Sequence, residues 1–224
     1  MIPIQRLDEP EVLRKNKARW CAAFLERRAK SPEQKPSSSQ YAHAQVVSTL
    51  EAMSHHKCFY CEQKTKETTC EVDHHVEVAE RPDLAFEWTN LYLSCPVCNS
   101  RKQPNRSIPI ADCLDPCDPA VDPSAHLDFD DELIRARAGS SRGLATIKKY
   151  KLDRDDLDLK RARQLKLLLK AIIEIKARMI AEGRKTMTER ELELLRSFAQ
   201  PDFPFSLMFS VYLERYGYLE RKGA

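Results

Sequence analysis

The stretch CFYCEQKTKETTCEVDHHVEVAE, residues 58–80, decides the fold. It sets Cys58 and Cys61 two residues apart and brings Asp73, His74 and His75 soon after them. Thiolates suit soft or borderline metals, carboxylates suit hard ones, and imidazole serves both. One metal could use the whole set, or two metals could divide it.

A second pair, Cys95-Pro-Val-Cys98, begins after 33 intervening residues. Two residues between cysteines let both sulfurs of a tight knuckle face one ion, and two knuckles complete a tetrahedral S4 set suited to Zn2+. The bland alternative is four free thiols in a core. Cys21, Cys70, Cys113 and Cys117 lack such partners, and the three residues between the last two are too many for a knuckle. If the paired thiolates fill one tetrahedron, Asp73, His74 and His75 are left with no part in it. Asn90, Asn99 and Lys102 lie further along the same segment.

The remaining composition narrows the setting. With 224 residues, 42% hydrophobic and 32% charged, the chain can bury a core in one large domain or two small ones. No apolar run reaches the roughly 18 residues of a membrane span. The first twenty residues read as neither signal nor transit peptide. Both point to the cytoplasm, where thiols stay reduced and eight cysteines suggest metal ligands before disulfides. Residues 111–134 carry eight acids and no Lys or Arg, whereas 141–184 carry thirteen Lys or Arg against six acids. Such a basic helical stretch either attracts a phosphate backbone or is a solvated face laced with ion pairs.

Apolar periodicity predicts helices over 10–30, through Val12, Leu13, Trp20, Phe24 and Leu25, and over 40–55. A Pro/Ser-rich loop over 31–39 separates them. Residues 104–123 read as an irregular Asp/Pro-rich connection, and 126–139 as a short β-hairpin. A long helix follows, with a stripe of Leu157, Leu165, Leu168, Leu169, Ile172, Ile173 and Met179 and a stop at Gly183. TERE at 188–191 is a capping box opening a helix over 189–199, and a last helix spans about 205–216. The expected fold class is α+β: a mainly helical protein around a small zinc module at 57–106. An N-terminal helical segment, 1–56, and a C-terminal region, 107–224, flank it.

The module's pattern resembles an HNH endonuclease of the ββα-metal, treble-clef type. The matching residues are Cys58, Cys61, Asp73, His74, Asn90, Leu91, Cys95, Cys98, Asn99 and Lys102. The resemblance implies a strand pair carrying Asp73 and His74, a loop carrying Asn90 and a helix starting near Cys98. It further implies that Asp73 and Asn99 bind a catalytic Mg2+ or Mn2+ through hard oxygens. His74 would be the general base, Asn90 would hold the loop and the His74 ring, and Lys102 would contact the phosphate. In some such enzymes a His-His pair makes the first histidine a ligand and the second the base. His75, on the same strand face as Asp73, therefore stays a reserve ligand.

More of the chain is similar to the HNH subunit of the Septu anti-phage system, also found with retrons. The features are CFYCE at 58–62, LDPCDPAVDP at 114–123 and GLATIKKYKLDRDDLDLKR at 143–161. That likeness implies a nucleic-acid substrate, DNA or RNA, and an ABC-type ATPase partner held by the flanking helices. It commonly has an apolar residue where His75 stands. The competing reading is a zinc-stabilised nucleic-acid-binding or scaffold module without catalysis. Seven basic and eight acidic side chains over 57–106 weigh against purely electrostatic binding.

Overall fold

The computed structural model describes residues 1–66, 68–102 and 107–220. The end of the expected module and the start of the Asp/Pro-rich connection, 103–106, lie outside the described residues. Among the described residues the chain is α+β, helical for most of its regular structure, with two separate two-stranded antiparallel sheets.

Helix α1 runs Glu11–Lys30 behind Pro10 and buries Leu13 and Phe24. Leu25, expected on the same stripe, faces outward because the helix is covered on one narrow side only. The single helix expected over 40–55 is instead a turn, α2 (Ser38–Tyr41), and a helix, α3 (Ala44–Met53). The break falls at Ala42–His43, where the His43 imidazole caps α3 by accepting from the Gln45 amide at 3.2 Å.

The module follows. Strand β1 (Glu71–His74) pairs with β2 (Leu91–Ser94), with Asp73 opposite Tyr92 and His74 opposite Leu91. Helix α4 (Pro96–Lys102) starts directly beyond Cys95. Arg6 ties the chain's beginning to this sheet: its guanidinium donates to the carbonyls of Trp88, Thr89 and Leu91 and lies over the Tyr92 ring.

The hairpin is present as β3 (Leu127–Asp130) and β4 (Leu133–Ala136), turning at Asp131, whose φ is 52°. Sequence reading missed the next element, α5 (Ser141–Tyr150). Ser140 caps it by accepting from the Gly143 amide, and Thr146, Ile147 and Tyr150 are buried. Gly143 is required there, since a Cβ would meet the His126 carbonyl oxygen at 2.3 Å. Helix α6 (Asp155–Ala181) buries Leu157, Leu165, Leu168, Ile172 and Ile175, and the chain leaves it through Gly183 at φ 64°. Leu169 and Ile173, expected in the buried stripe, stand 38% and 67% exposed, so the covered face is narrower than apolarity suggested.

Helix α7 (Glu189–Arg196) opens on the expected capping box. Thr188 accepts from the Glu191 amide, and the Glu191 carboxylate accepts from the Thr188 amide at 2.8 Å. Helix α8 (Ser206–Arg215) closes the fold. One connected set of buried apolar side chains runs from Leu13 and Leu50 through Phe59 and Tyr92 to Leu165 and Phe209. A second, smaller set joins Phe24 to Ala85 and Phe86, with Trp20 and Tyr41 packed on it.

Candidate active site

The sulfurs come together first. Cys58, Cys61, Cys95 and Cys98 are all buried, and their Sγ atoms lie within 4.8 Å of one another. Tetrahedral zinc with Zn–S bonds of about 2.3 Å requires sulfurs about 3.8 Å apart. The Cys61–Cys95 separation is 3.8 Å. The knuckles aim backbone donors at the thiolates: the Cys95 amide at Cys58 Sγ, 3.3 Å, and the Cys98 amide at Cys95 Sγ, 3.4 Å. Arg154, just ahead of α6, reaches Cys98 Sγ at 3.7 Å and offsets the negative charge of an S4 set. The donor set therefore fits Zn2+.

Asp73, His74 and His75 lie outside that tetrahedron. Strand alternation sends Asp73 to one face of β1 and His74 to the other. The Asp73 carboxylate is 4% exposed. It accepts from Tyr60 Oη at 2.8 Å and from Lys102 Nζ at 2.9 and 3.0 Å. Lys102 also donates to the His74 carbonyl. Its ammonium thus points inward, whereas the family likeness had it reaching a phosphate at the surface.

His74 is fixed from both sides of the chain, by Ala85 after it and Tyr41 before it. Its Nε2 lies 2.9 Å from the Ala85 carbonyl oxygen, which can only accept. Nε2 therefore carries the proton and Nδ1 keeps its lone pair. Among the described residues no hydrogen bond engages Nδ1. Burial pushes the imidazole below its ordinary pKa. The Ala85 bond and Asp73 pull it partly back, and Lys102 pushes it down. Tyr41 packs on the ring with centroids 4.6 Å apart. The Tyr41 phenol is itself raised, first by burial and then by the charges of Glu71 and Asp73. Both carboxylates thus act electrostatically on the ring that holds His74.

Asn90 makes the loop. Its Oδ1 accepts from the Val76 amide at 2.7 Å, and its Nδ2 donates to the carbonyls of Val76 and Leu84 at 3.1 and 3.2 Å. These bonds tie the exit of β1 to the turn bearing Ala85. Phe86, next in the chain, is clamped by Trp20 and Phe24 of α1 at ring separations of 6.0 and 6.1 Å. The N-terminal helices therefore position the carbonyl that orients His74.

Asn99 and Lys102 sit one helical turn apart on α4 and reach successive residues of one face of β1. Asn99 Nδ2 donates to Glu71 Oε2 at 2.9 Å, while Lys102 meets Asp73. Asp73 and Asn99 thus belong to one helix–strand contact. Asn99 Oδ1, Glu71 and Asp73 offer hard oxygen atoms, the donor type that Mg2+ and Mn2+ prefer, although both Asp73 oxygens accept from Lys102. Sequence reading missed Glu71. Its position two residues before Asp73, on the same face, was the available signal.

His75 takes a different environment. Its ring stacks on Tyr92 at 4.4 Å, and burial pushes its pKa down to about 4, against Asp115 and with Lys102. Its Nδ1 is buried, with no hydrogen-bond partner among the described residues.

This combination of a thiolate knuckle pair, a two-stranded sheet carrying Asp-His and a helix beyond the last knuckle has a known counterpart. Residues 58–105 match the HNH endonuclease family model, so the chain carries an HNH endonuclease domain. Beyond the domain, the chain is similar to Septu protein PtuB of Bacillus mycoides (strain KBAB4). The two are 30% identical over 179 residues, which cover 66% of this chain and 58% of that protein. It is also 30% identical over 104 residues to Septu protein PtuB of Bacillus thuringiensis, covering 46% of this chain and 37% of the relative. The chain therefore matches less than two thirds of either relative's length. Among the described residues no helix is long and apolar enough to cross a membrane.

Proposed function

We propose that this chain is a metal-dependent endonuclease that hydrolyses phosphodiester bonds, and that it serves as the nuclease subunit of an anti-phage defence complex beside an ABC-type ATPase in the cytoplasm. The observation that carries the reading is His74: an imidazole with its Nε2 proton committed to a backbone carbonyl and, among the described residues, its Nδ1 lone pair uncommitted. The HNH match and the similarity to PtuB proteins support it.

In this reading His74 Nδ1 takes a proton from a water whose oxygen attacks phosphorus. The new P–O bond forms as the bond to the leaving oxygen of the sugar breaks, and that oxygen leaves with a proton from solvent. Asp73 and Asn99 would hold Mg2+ or Mn2+, with Glu71 beside them. The ion supplies charge stabilisation at the phosphate and the leaving oxygen. Asn90 and the Ala85 carbonyl keep the imidazole oriented, and the four cysteines hold Zn2+ as scaffold. His75 is left outside the cation site in this reading, because its ring is stacked on Tyr92.

One observation favours the second reading, a zinc-stabilised module that binds nucleic acid without cutting. Both Asp73 oxygens already accept hydrogen bonds from Lys102. A cleavage assay separates the two. Plasmid, single-stranded DNA and RNA are incubated with the wild type or His74→Ala in Mg2+, Mn2+ or EDTA. The nuclease reading requires metal-dependent products that vanish with His74→Ala. Binding without products in every arm, with the ATPase partner present or absent, supports the second reading. Co-purification of an ATPase with the full chain tests the assembly.

A further inference from the structure

Beyond the end of β1 lies a cleft of about 210 Å³, walled by His75, Glu77, Glu80, Lys102, Ile108, Pro109 and Lys149. It is smaller than the roughly 300–1,000 Å³ of sites for drug-sized molecules, and so suits a fragment. Three observations describe what that fragment must be.

The first is an orphan. His75 forms part of the wall, and its Nδ1 is buried with no hydrogen-bond partner among the described residues. A buried nitrogen in this state forfeits a hydrogen bond it could make, and a ligand can restore it. The second is charge. The Lys102 ammonium is paired with Asp73 and the Lys149 ammonium lies 3.9 Å from Glu77, while the exposed Glu80 adds a further carboxylate to the wall. These walls carry no surplus positive charge for a phosphate, and two ammoniums oppose a divalent cation. The occupant is therefore neutral. The third is shape and place. Ile108, Pro109 and Ala79 give the cleft apolar sides, and His75 presents a ring edge because Tyr92 covers one of its faces. Lys102 joins the cleft to Asp73 and to the His74 backbone.

We propose that the cleft takes one unpaired nucleobase, hydrogen-bonded at its edge by His75, next to the phosphate handled by Asp73 and His74. The placement beside a phosphate rests on the nuclease reading, whereas the pocket itself does not. A base can enter only from single-stranded or locally opened nucleic acid. The chain would then select unpaired sites through this cleft.

The test uses free nucleosides, which have no phosphodiester bond and so read the pocket apart from cleavage. Adenosine, guanosine, cytidine, uridine and thymidine are titrated against the full zinc-loaded chain and followed by saturation-transfer NMR, with inorganic phosphate as competitor. At least one nucleoside should bind saturably in the millimolar range. His75→Phe, which keeps the stack on Tyr92 but removes Nδ1, should weaken it about tenfold, the worth of one well-placed hydrogen bond. Ile108→Trp, which fills the cleft from a partly exposed loop, should abolish binding even if His75→Phe proves unstable. No saturable nucleoside binding, binding indifferent to both substitutions, or displacement by phosphate would each overturn the proposal. Cleavage by the wild type in the separate assay would leave the nuclease reading standing in any of those cases.

Discussion

Lys102→Met leaves the Asp73 carboxylate buried with its counter-ion removed. The two side chains are 2% and 5% exposed and make a bidentate contact at 2.9 and 3.0 Å. Breaking a buried pair by removing one partner costs about 3–5 kcal/mol, because the remaining charge has no compensation. In a chain of this size each kcal/mol shifts Tm by about 2–4 °C, so the variant should melt about 6–20 °C below the wild type. Tyr60 still donates to Asp73, which favours the lower end of that range. Asp73→Asn in the Lys102→Met background removes the stranded charge and should recover most of the loss. If Asp73 can share a divalent cation, Mn2+ should raise the Tm of Lys102→Met more than that of the wild type. The assay is thermal denaturation of zinc-loaded protein with and without Mn2+. Equal melting of the single and double variants would refute the charge argument, and a Mn2+ shift no larger than in the wild type would refute the cation-site argument.

Further outcomes follow from the same geometry. His74→Ala should abolish cleavage while zinc content and Tm stay near wild type, as metal analysis and calorimetry would read. A general base must be unprotonated, and the His74 pKa lies below its ordinary 6.5. Cleavage should therefore hold through neutral pH and fall only as pH drops below about 6.5, an acid limb that a pH–rate profile places. Cys95→Ser removes one of four thiolates and should cost the module its zinc and its fold, seen as lost helical circular dichroism. Asn90→Ala breaks three hydrogen bonds in the loop facing His74 and should lower kcat while destabilising by about 1–3 kcal/mol per buried group left unpaired. Phe24→Ala should lower kcat without touching the site, since it unclamps Phe86 and the neighbouring Ala85 carbonyl, at a stability cost of about 3–5 kcal/mol.

Local chemistry made much of this legible in the sequence. Two knuckles, a capping box at Thr188 and a Gly stop at residue 183 each act within a few residues, so spacing alone places them. The S4 cluster followed because zinc demands one geometry from four sulfurs. Elements defined by what they pack against were harder to read. Helix α5 carries polar residues over most of its surface and is held by burial of Ile147 and Tyr150. Leu169 and Ile173 look buried by composition, yet among the described residues nothing covers that side of α6 and both stand exposed. The Lys102–Asp73 pair, the Glu71–Asn99 contact and the clamp of α1 on Phe86 join residues about thirty or more positions apart. Only the folded chain brings them together.

The proposed function requires two separate metal sites in the segment from Cys58 to Lys102. Crystals of the zinc-loaded chain soaked in Mn2+ and measured for anomalous scattering at both absorption edges would locate each ion directly. The account predicts zinc among Cys58, Cys61, Cys95 and Cys98, with manganese bound by Asp73 and Asn99. A manganese peak at His75, or none near Asp73 at saturating Mn2+, would contradict it.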